Sequence, residues 1–299
     1  MNKLKIAIIG CRNMGQKHLN TLRKNFADCV EIAGILTSSP ESSARRATEL
    51  NVPYFTDLDD ITLSNVDAAI ISTPGPTHAA IGEKLLLRGI PCLIEKPLAT
   101  TLDGCAKLIS AAKSGHCLIA AGHTENYNPA VIRLKEELHA PVSNIKAVRT
   151  SRNTTNKTGI SAVQELMIHD LAIVHSLLGN NIASSDINKR PDLSWEHHAI
   201  VTIKYKNGAS VKLEALREDR EVERFMDIRD TDNNIFHIDF MERRLLKNSQ
   251  VLTEGGNALQ NELADFICCI KNGTMPLVGA REAADILALC LRLEEGMTA

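Results

Sequence analysis

The sequence predicts a doubly wound α/β domain followed by an α+β domain with a largely antiparallel open sheet. Three observations carry that prediction. Strand and helix periods alternate through the first 120 residues, strands then follow one another with turn signals between them, and 299 residues exceed what one core usually encloses.

In the first part, short apolar, β-branched runs at 5–9, 31–36, 67–71, 92–94 and 117–120 read as strands buried on both faces. Helical stretches separate them at 14–24, 41–50, 77–87 and 102–113. This alternation implies parallel strands joined by right-handed crossovers. Asn13 and Ser42 stand where helix N-caps belong, and Gly89 and Gly115 where helices end. The spacing then predicts a long helix over 161–178, stopping at Gly179, and strands at 182–188, 198–205, 209–215, 224–228 and 235–240. Asn207-Gly208 predicts a type I′ hairpin turn with both residues at positive φ. Two helices, 258–271 and 280–295, close the chain. The expected domains are 1–121 and 122–299, with the closing helices able to pack back on the first.

Composition narrows the function. With 34 basic and 36 acidic residues, the net charge of −2 disfavours a nucleic-acid binder that works by phosphate neutralisation, and a polybasic membrane anchor. One Trp and three Tyr leave little for base stacking. The eight cysteines show no C-x-x-C spacing, so neither disulfides nor zinc is expected and a reducing compartment is. The first apolar run is too short for a signal peptide and no 18-residue apolar span follows, so a soluble cytoplasmic protein is expected.

The segment from Ile6 to Gly15 has the strand–turn–helix context of a Rossmann dinucleotide fingerprint. Gly10 permits the tight turn, Gly15 permits close packing of helix on strand, and the helix start at Asn13 and Met14 offers N–H groups to a pyrophosphate. Arg12 occupies the middle glycine position, where it limits backbone approach but offers a cation to a phosphate. The bland alternative is a turn with two structural glycines. The second strand ends at Thr37 and Ser38, and no carboxylate follows until Glu41. With Arg12, Arg45 and Arg46 nearby, that end favours the 2′-phosphate of NADP over the ribose hydroxyl of NAD; the alternative is a solvated helix face. An apolar strand delivers Glu95-Lys96-Pro97 to the end of the sheet where ligands bind, with a cis bond conceivable at Pro97 and an ordinary ion pair as the plain reading. On the helix over 161–178, Glu165, His169 and Ser176 form one polar stripe in an otherwise apolar wheel. Glu165 and His169 are i and i+4, a candidate proton-transfer pair or a satisfied core histidine. No third ligand is spaced for a metal.

In this order, the segment 8–18, Ile70-Ile71-Ser72-Thr73-Pro74 with His78, Glu95-Lys96-Pro97, the stretch from Gly122 to Ala130 and the stretch from Glu165 to Leu171 resemble the glucose–fructose oxidoreductase/inositol dehydrogenase (Gfo/Idh/MocA) family across the whole chain. Within it, the 122–130 and 165–171 stretches look most like those of UDP-N-acetylglucosamine 3-dehydrogenases, which oxidise the sugar 3-hydroxyl. The resemblance implies an NAD or NADP site formed by Gly10, Arg12, Asn13, Met14, Gly15, Thr37, Ser38, Thr73, Pro74, His78, Glu95 and Lys96. It implies catalysis by Lys96, His169 and Glu165, with Tyr127, Asn128 and His169 meeting substrate. His169 would take the hydroxyl proton, Glu165 would orient the imidazole, and Lys96 would hydrogen-bond the same oxygen. Arg12 departs from the family's glycine, Asn126 from its arginine, Glu165 from its commoner aspartate and Ala172 from a frequent acid. The resemblance also implies a homodimer or homotetramer through the open sheet, a small-molecule substrate, and no nucleic-acid or membrane partner. Other family substrates (an inositol, a dihydrodiol, an imine, biliverdin) and a non-catalytic dinucleotide sensor are the competing readings.

Overall fold

The computed structural model describes residues 3–152 and 160–297. The chain forms two compact units, one from residues 1–123 and 259–284, the other from 124–258 and 285–299. The first unit contains β1 (Leu4–Ile9), α1 (Asn13–Asn25), β2 (Val30–Leu36), α2 (Pro40–Leu50), α3 (Leu58–Leu63), β3 (Ala68–Ile71), α4 (His78–Leu86), β4 (Cys92–Glu95), α5 (Leu102–Ser114) and β5 (Ile119–Gly122). Its sheet is parallel throughout, in the order β2-β1-β3-β4-β5. Every residue of β3, β4 and β5 is buried, as expected for strands covered on both faces. The strand order reverses between β1 and β3, so the carboxyl ends of those two strands define the ligand crevice.

Local chemistry sets most helix starts. Ser39, not Ser42, caps α2, accepting from the Ser42 N–H, because Pro40 supplies the first helical residue. Asp57 and Thr101 cap α3 and α5 in the same way. The short α3 escaped the sequence reading because six residues carry too little periodicity to announce a helix. The fifth strand lies two residues later than expected, at Ile119–Gly122 rather than 117–120.

The second unit begins with a single turn at Thr124–Tyr127, then α6 (Pro129–Glu137) and β6 (Val142–Ser151). A π-helical turn at Val163–Met167 runs directly into α7 (Ile168–Leu178). The strands β7 (Ile182–Asn188), β8 (His198–Tyr205), β9 (Ser210–Arg217), β10 (Arg224–Asp230), β11 (Ile235–Asp239), β12 (Arg244–Lys247) and β13 (Gln250–Thr253) follow. The eight strands order as β13-β12-β11-β10-β6-β9-β8-β7, antiparallel except where β6 meets β9. Both α6 and the ten-residue β6 are absent from the sequence reading. Asn144, Lys146 and Arg149 dilute the apolar period of β6, which hides a strand that lies in the middle of the sheet.

The hairpin between β8 and β9 differs from expectation. Gly208 has φ +90°, whereas Asn207 is not left-handed, and the Gly208 N–H donates to the Tyr205 carbonyl. The Asn207 side chain accepts from the Ala209 N–H, which stabilises a normal turn followed by a glycine rather than a type I′ turn.

The helices α8 (Ala258–Asn272) and α9 (Ala280–Glu295) end the chain. Leu263, Phe266 and Ile267 of α8 enter the core of the first unit beside Ile6, Ile8 and Ala120. Ile286, Leu289, Cys290 and Leu293 of α9 enter the core of the second, with Ile168, Leu171 and Val174 of α7. Among the described residues, no helix is long and apolar enough to cross a membrane.

Candidate functional site

At the end of β1, Gly10 adopts φ +84°, and a Cβ there would lie 2.7 Å from the backbone of Ser72 and Thr73. The Ser72 hydroxyl donates to the Gly10 carbonyl at 2.5 Å, closing the loop against the end of β3. Arg12 occupies the N-cap of α1 but makes no side-chain cap hydrogen bond. The first N–H groups of α1 therefore lack a side-chain acceptor, and with the adjacent glycine turn they suit a pyrophosphate. The residues present thus fit a dinucleotide.

Around this loop the expected cofactor residues divide. Arg12, Asn13, Ser38 and Pro74 are exposed, and Met14, Thr73 and Lys96 are half-buried. Thr37 uses its N–H and hydroxyl on Ser43, at 2.9 and 3.2 Å. Arg46 is committed to the Cys11 carbonyl, Gln16 and Glu49, at 3.1, 2.7 and 2.6 Å, so Arg12 and the exposed Arg45 are the arginines left facing solvent.

Two of the expected cofactor residues have partners within the protein. His78 is buried, its ring nitrogens 2.8 Å from the Pro97 carbonyl and 2.7 Å from the Thr73 carbonyl, so it staples the loops after β3 and β4 together. Glu95 is also buried and meets His18 Nε2 at 2.7 Å, turning inward because the imidazole on α1 satisfies it there. Glu262 of α8 brings a third buried group, with the three sets of metal-binding atom types within 4.8 Å of one another. The sequence reading overlooked His18 and Glu262, whose partners lie far away in the chain. Lys96, the residue after Glu95, joins Pro97 through a cis peptide.

The second unit gathers its own candidate groups at the start of α7. His169 is half-buried there, one residue before Asp170, which is 1% exposed. Asp170 receives Arg149 of β6 through two hydrogen bonds, Nε at 3.0 Å and Nη2 at 2.8 Å. The remaining nitrogen, Nη1, donates to Glu125 at 3.1 Å, and the guanidinium lies 4.9 Å from the Phe240 ring centroid. Burial opposes the charge on Arg149, but Asp170 and Glu125 outweigh it and shift its pKa upward. Burial also lifts the Asp170 carboxyl above the ordinary aspartate value, against the pull of Arg149. Arg224 shifts downward because of burial and the like charge of Arg149. The two-pronged geometry keeps the Arg149–Asp170 pair ionised.

Three further polar residues have protein partners here. The Glu165 carboxylate accepts a charged hydrogen bond from Arg217 of β9. Asn128 caps α6, accepting from the Ala130 N–H at 3.1 Å, and donates to Glu125 at 3.1 Å. Ser176 donates to the Ile173 carbonyl of its own helix. Tyr127 is 2% exposed. The sequence did carry a signal for the arginines: Ile145-x-Ala147-x-Arg149 and Val211-x-Leu213-x-Ala215-x-Arg217 both continue an inward-facing apolar row into a charge. Such a charge demands a buried partner.

Comparison with known proteins points the same way as the geometry. Residues 4–123 match the family model described as "Oxidoreductase family, NAD-binding Rossmann fold" of the Gfo/Idh/MocA group. That match covers the amino-terminal part of the chain, which is therefore similar to the Gfo/Idh/MocA oxidoreductases. Over its whole length it superposes on UDP-N-acetylglucosamine 3-dehydrogenase GnnA from Acidithiobacillus ferrooxidans with TM-score 0.90 and 25% identity, covering 99% of this chain and 98% of that one. In sequence, the UDP-N-acetylglucosamine 3-dehydrogenase of that organism is 28% identical over 234 residues, 76% of this chain and 72% of the relative. An inositol 2-dehydrogenase from Burkholderia vietnamiensis is 28% identical over 193 residues, 62% of this chain and 57% of that enzyme. These Gfo/Idh/MocA relatives are dehydrogenases that act on CH–OH groups.

Proposed function

We propose that this protein is a cytoplasmic dehydrogenase of the Gfo/Idh/MocA family that oxidises a secondary alcohol of a sugar, with the 3-hydroxyl of a UDP-N-acetyl sugar as substrate. The observation that carries this reading is the end-to-end likeness to GnnA, at TM-score 0.90. It is supported by Lys96 directly after β4 and by His169 at the start of α7, the two proton-handling groups the chemistry needs.

Gly10, Gly15 and the start of α1 hold the dinucleotide, whose nicotinamide supplies the hydride acceptor. His169 removes the hydroxyl proton as general base. Lys96 is a hydrogen-bond donor to an oxygen on which negative charge grows as its proton leaves. At the end of β2, Thr37 and Ser38 in place of a carboxylate, with Arg12 and Arg45 exposed, favour NADP. The eight-stranded sheet supports a homodimer or homotetramer, since β8 over 199–205 and β9 over 210–215 alternate buried with more exposed positions.

Turnover of UDP-sugars and free polyols with NAD or NADP, followed by nicotinamide absorbance, tests the reading. Oxidation of UDP-N-acetylglucosamine is the expected result, and His169→Ala and Lys96→Ala each lower turnover by about 10²-fold or more. Activity confined to inositol would move the substrate to the competing class. Nucleotide binding without turnover of any substrate would make the protein a sensor.

A further inference from the structure

We propose that Arg217 is a positioning residue that sets the charge around His169 by acting through Glu165. This rests on the reading of His169 as the proton acceptor.

The strands β6 and β9 run side by side in parallel, with Arg149 opposite Ala215 and Ser151 opposite Arg217. Their inward rows each end in an arginine, 2% exposed at Arg149 and 3% at Arg217. Each arginine grips a carboxylate on the segment that carries His169. Arg149 takes Asp170, the residue after the histidine, and Arg217 takes Glu165, four residues before it. In an unbroken α-helix, residues five apart point about 140° away from each other. The π-helical turn, in which the Ile168 N–H reaches back to the Val163 carbonyl, brings Glu165 and Asp170 closer to one side, the side of the two arginines.

The two grips have different roles. Asp170 is enclosed with Arg149, Glu125 and Asn128, which anchors the segment. The Glu165 side chain is 41% exposed, while its partner Arg217 is buried and held a second time, Nη1 donating to the Glu196 carbonyl at 2.5 Å. Arg217 is thus a fixed cation that cancels the charge of a carboxylate on the same turn of helix as the imidazole. Among the described residues, the charged groups facing this segment include Glu165 and Asp170 on it, Arg217 on β9, Arg149 on β6, Glu125 in the turn before α6, Arg224 on β10, Glu294 of α9, which accepts from Ser161 and Gln164, and Asp285 of α9, which faces His175.

The sign of each perturbation follows. Arg217→Met removes a cation from beside Glu165 and so stabilises the imidazolium, and His169 titrates at higher pH. Glu165→Gln leaves Arg217 uncompensated and moves the titration lower. The double variant returns towards the parent value, and Arg217→Lys retains most of it.

The test is nuclear magnetic resonance titration of the full chain with isotope-labelled histidine, the His169 signal being assigned by its loss in His169→Gln. Shifts of about half a pH unit or more, upward in Arg217→Met and downward in Glu165→Gln, are expected. The low-pH limb of the rate profile should move in the same directions. Shifts of the same sign in both variants, or an unmoved signal, overturn the proposal. If Arg217→Met does not fold, Glu165→Gln, the double variant and Arg217→Lys still give the sign. Opposed shifts in a protein with no turnover would uphold this inference and sink the proposed function, whereas turnover with unmoved titrations would do the reverse.

Discussion

The two units build their candidate binding groups from different materials. The first relies on backbone: a left-handed glycine, a helix start without a side-chain cap, and loops stapled by His78. The second relies on side-chain charges brought together over long sequence separations, Arg149 with Asp170 and Glu125, Arg217 with Glu165. A backbone site tolerates most side-chain changes but fails when a glycine gains a Cβ. A charge-built site fails when one partner of a buried pair is lost.

The sharpest way to break this contrast is Arg149→Met, which strands two carboxylates among buried residues. A loss of about 3–5 kcal/mol in urea unfolding is expected, because the surviving charges lose compensation. Next comes Gly10→Ala, where a positive φ and a 2.7 Å approach to the Ser72 backbone act together. Its expected cost is about 3 kcal/mol, with loss of nucleotide binding measured by quenching of reduced-nicotinamide fluorescence. If Gly10→Ala bound nucleotide normally, the backbone account of the first unit would fail. The caps provide a smaller contrast. Ser39→Ala removes the acceptor for the Ser42 N–H and should cost about 1 kcal/mol in thermal or urea unfolding. Arg12→Ala removes no cap bond, so stability should hold while the KM for NADP rises relative to that for NAD.

The same contrast explains what the sequence disclosed. Glycine spacing, strand-end position and the Glu-Lys-Pro run are local, so the nucleotide unit and the place of Lys96 could be read residue by residue. The cis peptide before Pro97 was likewise foreshadowed by its residue type. His169 emerged from an apolar wheel broken by one polar stripe, but its surroundings did not. Arg149 and Asp170 are 21 residues apart and Glu165 and Arg217 are 52 apart, and no periodicity links them. His18 and Glu95, 77 residues apart, meet only because α1 lies over the sheet that β4 enters. The strand β6 was missed for a related reason: its inward charge reads as a surface residue until a partner is found for it.

The return of α8 to the first unit has a consequence for how this protein can be made and divided. Leu263, Phe266 and Ile267 fill a core whose other members were synthesised more than 130 residues earlier, the last of them Ala120. A gene fragment ending at residue 123 would therefore leave bare the apolar surface these three side chains cover. On the ribosome, that unit cannot close until Ile267 has emerged, so the first part translated is not the first part finished.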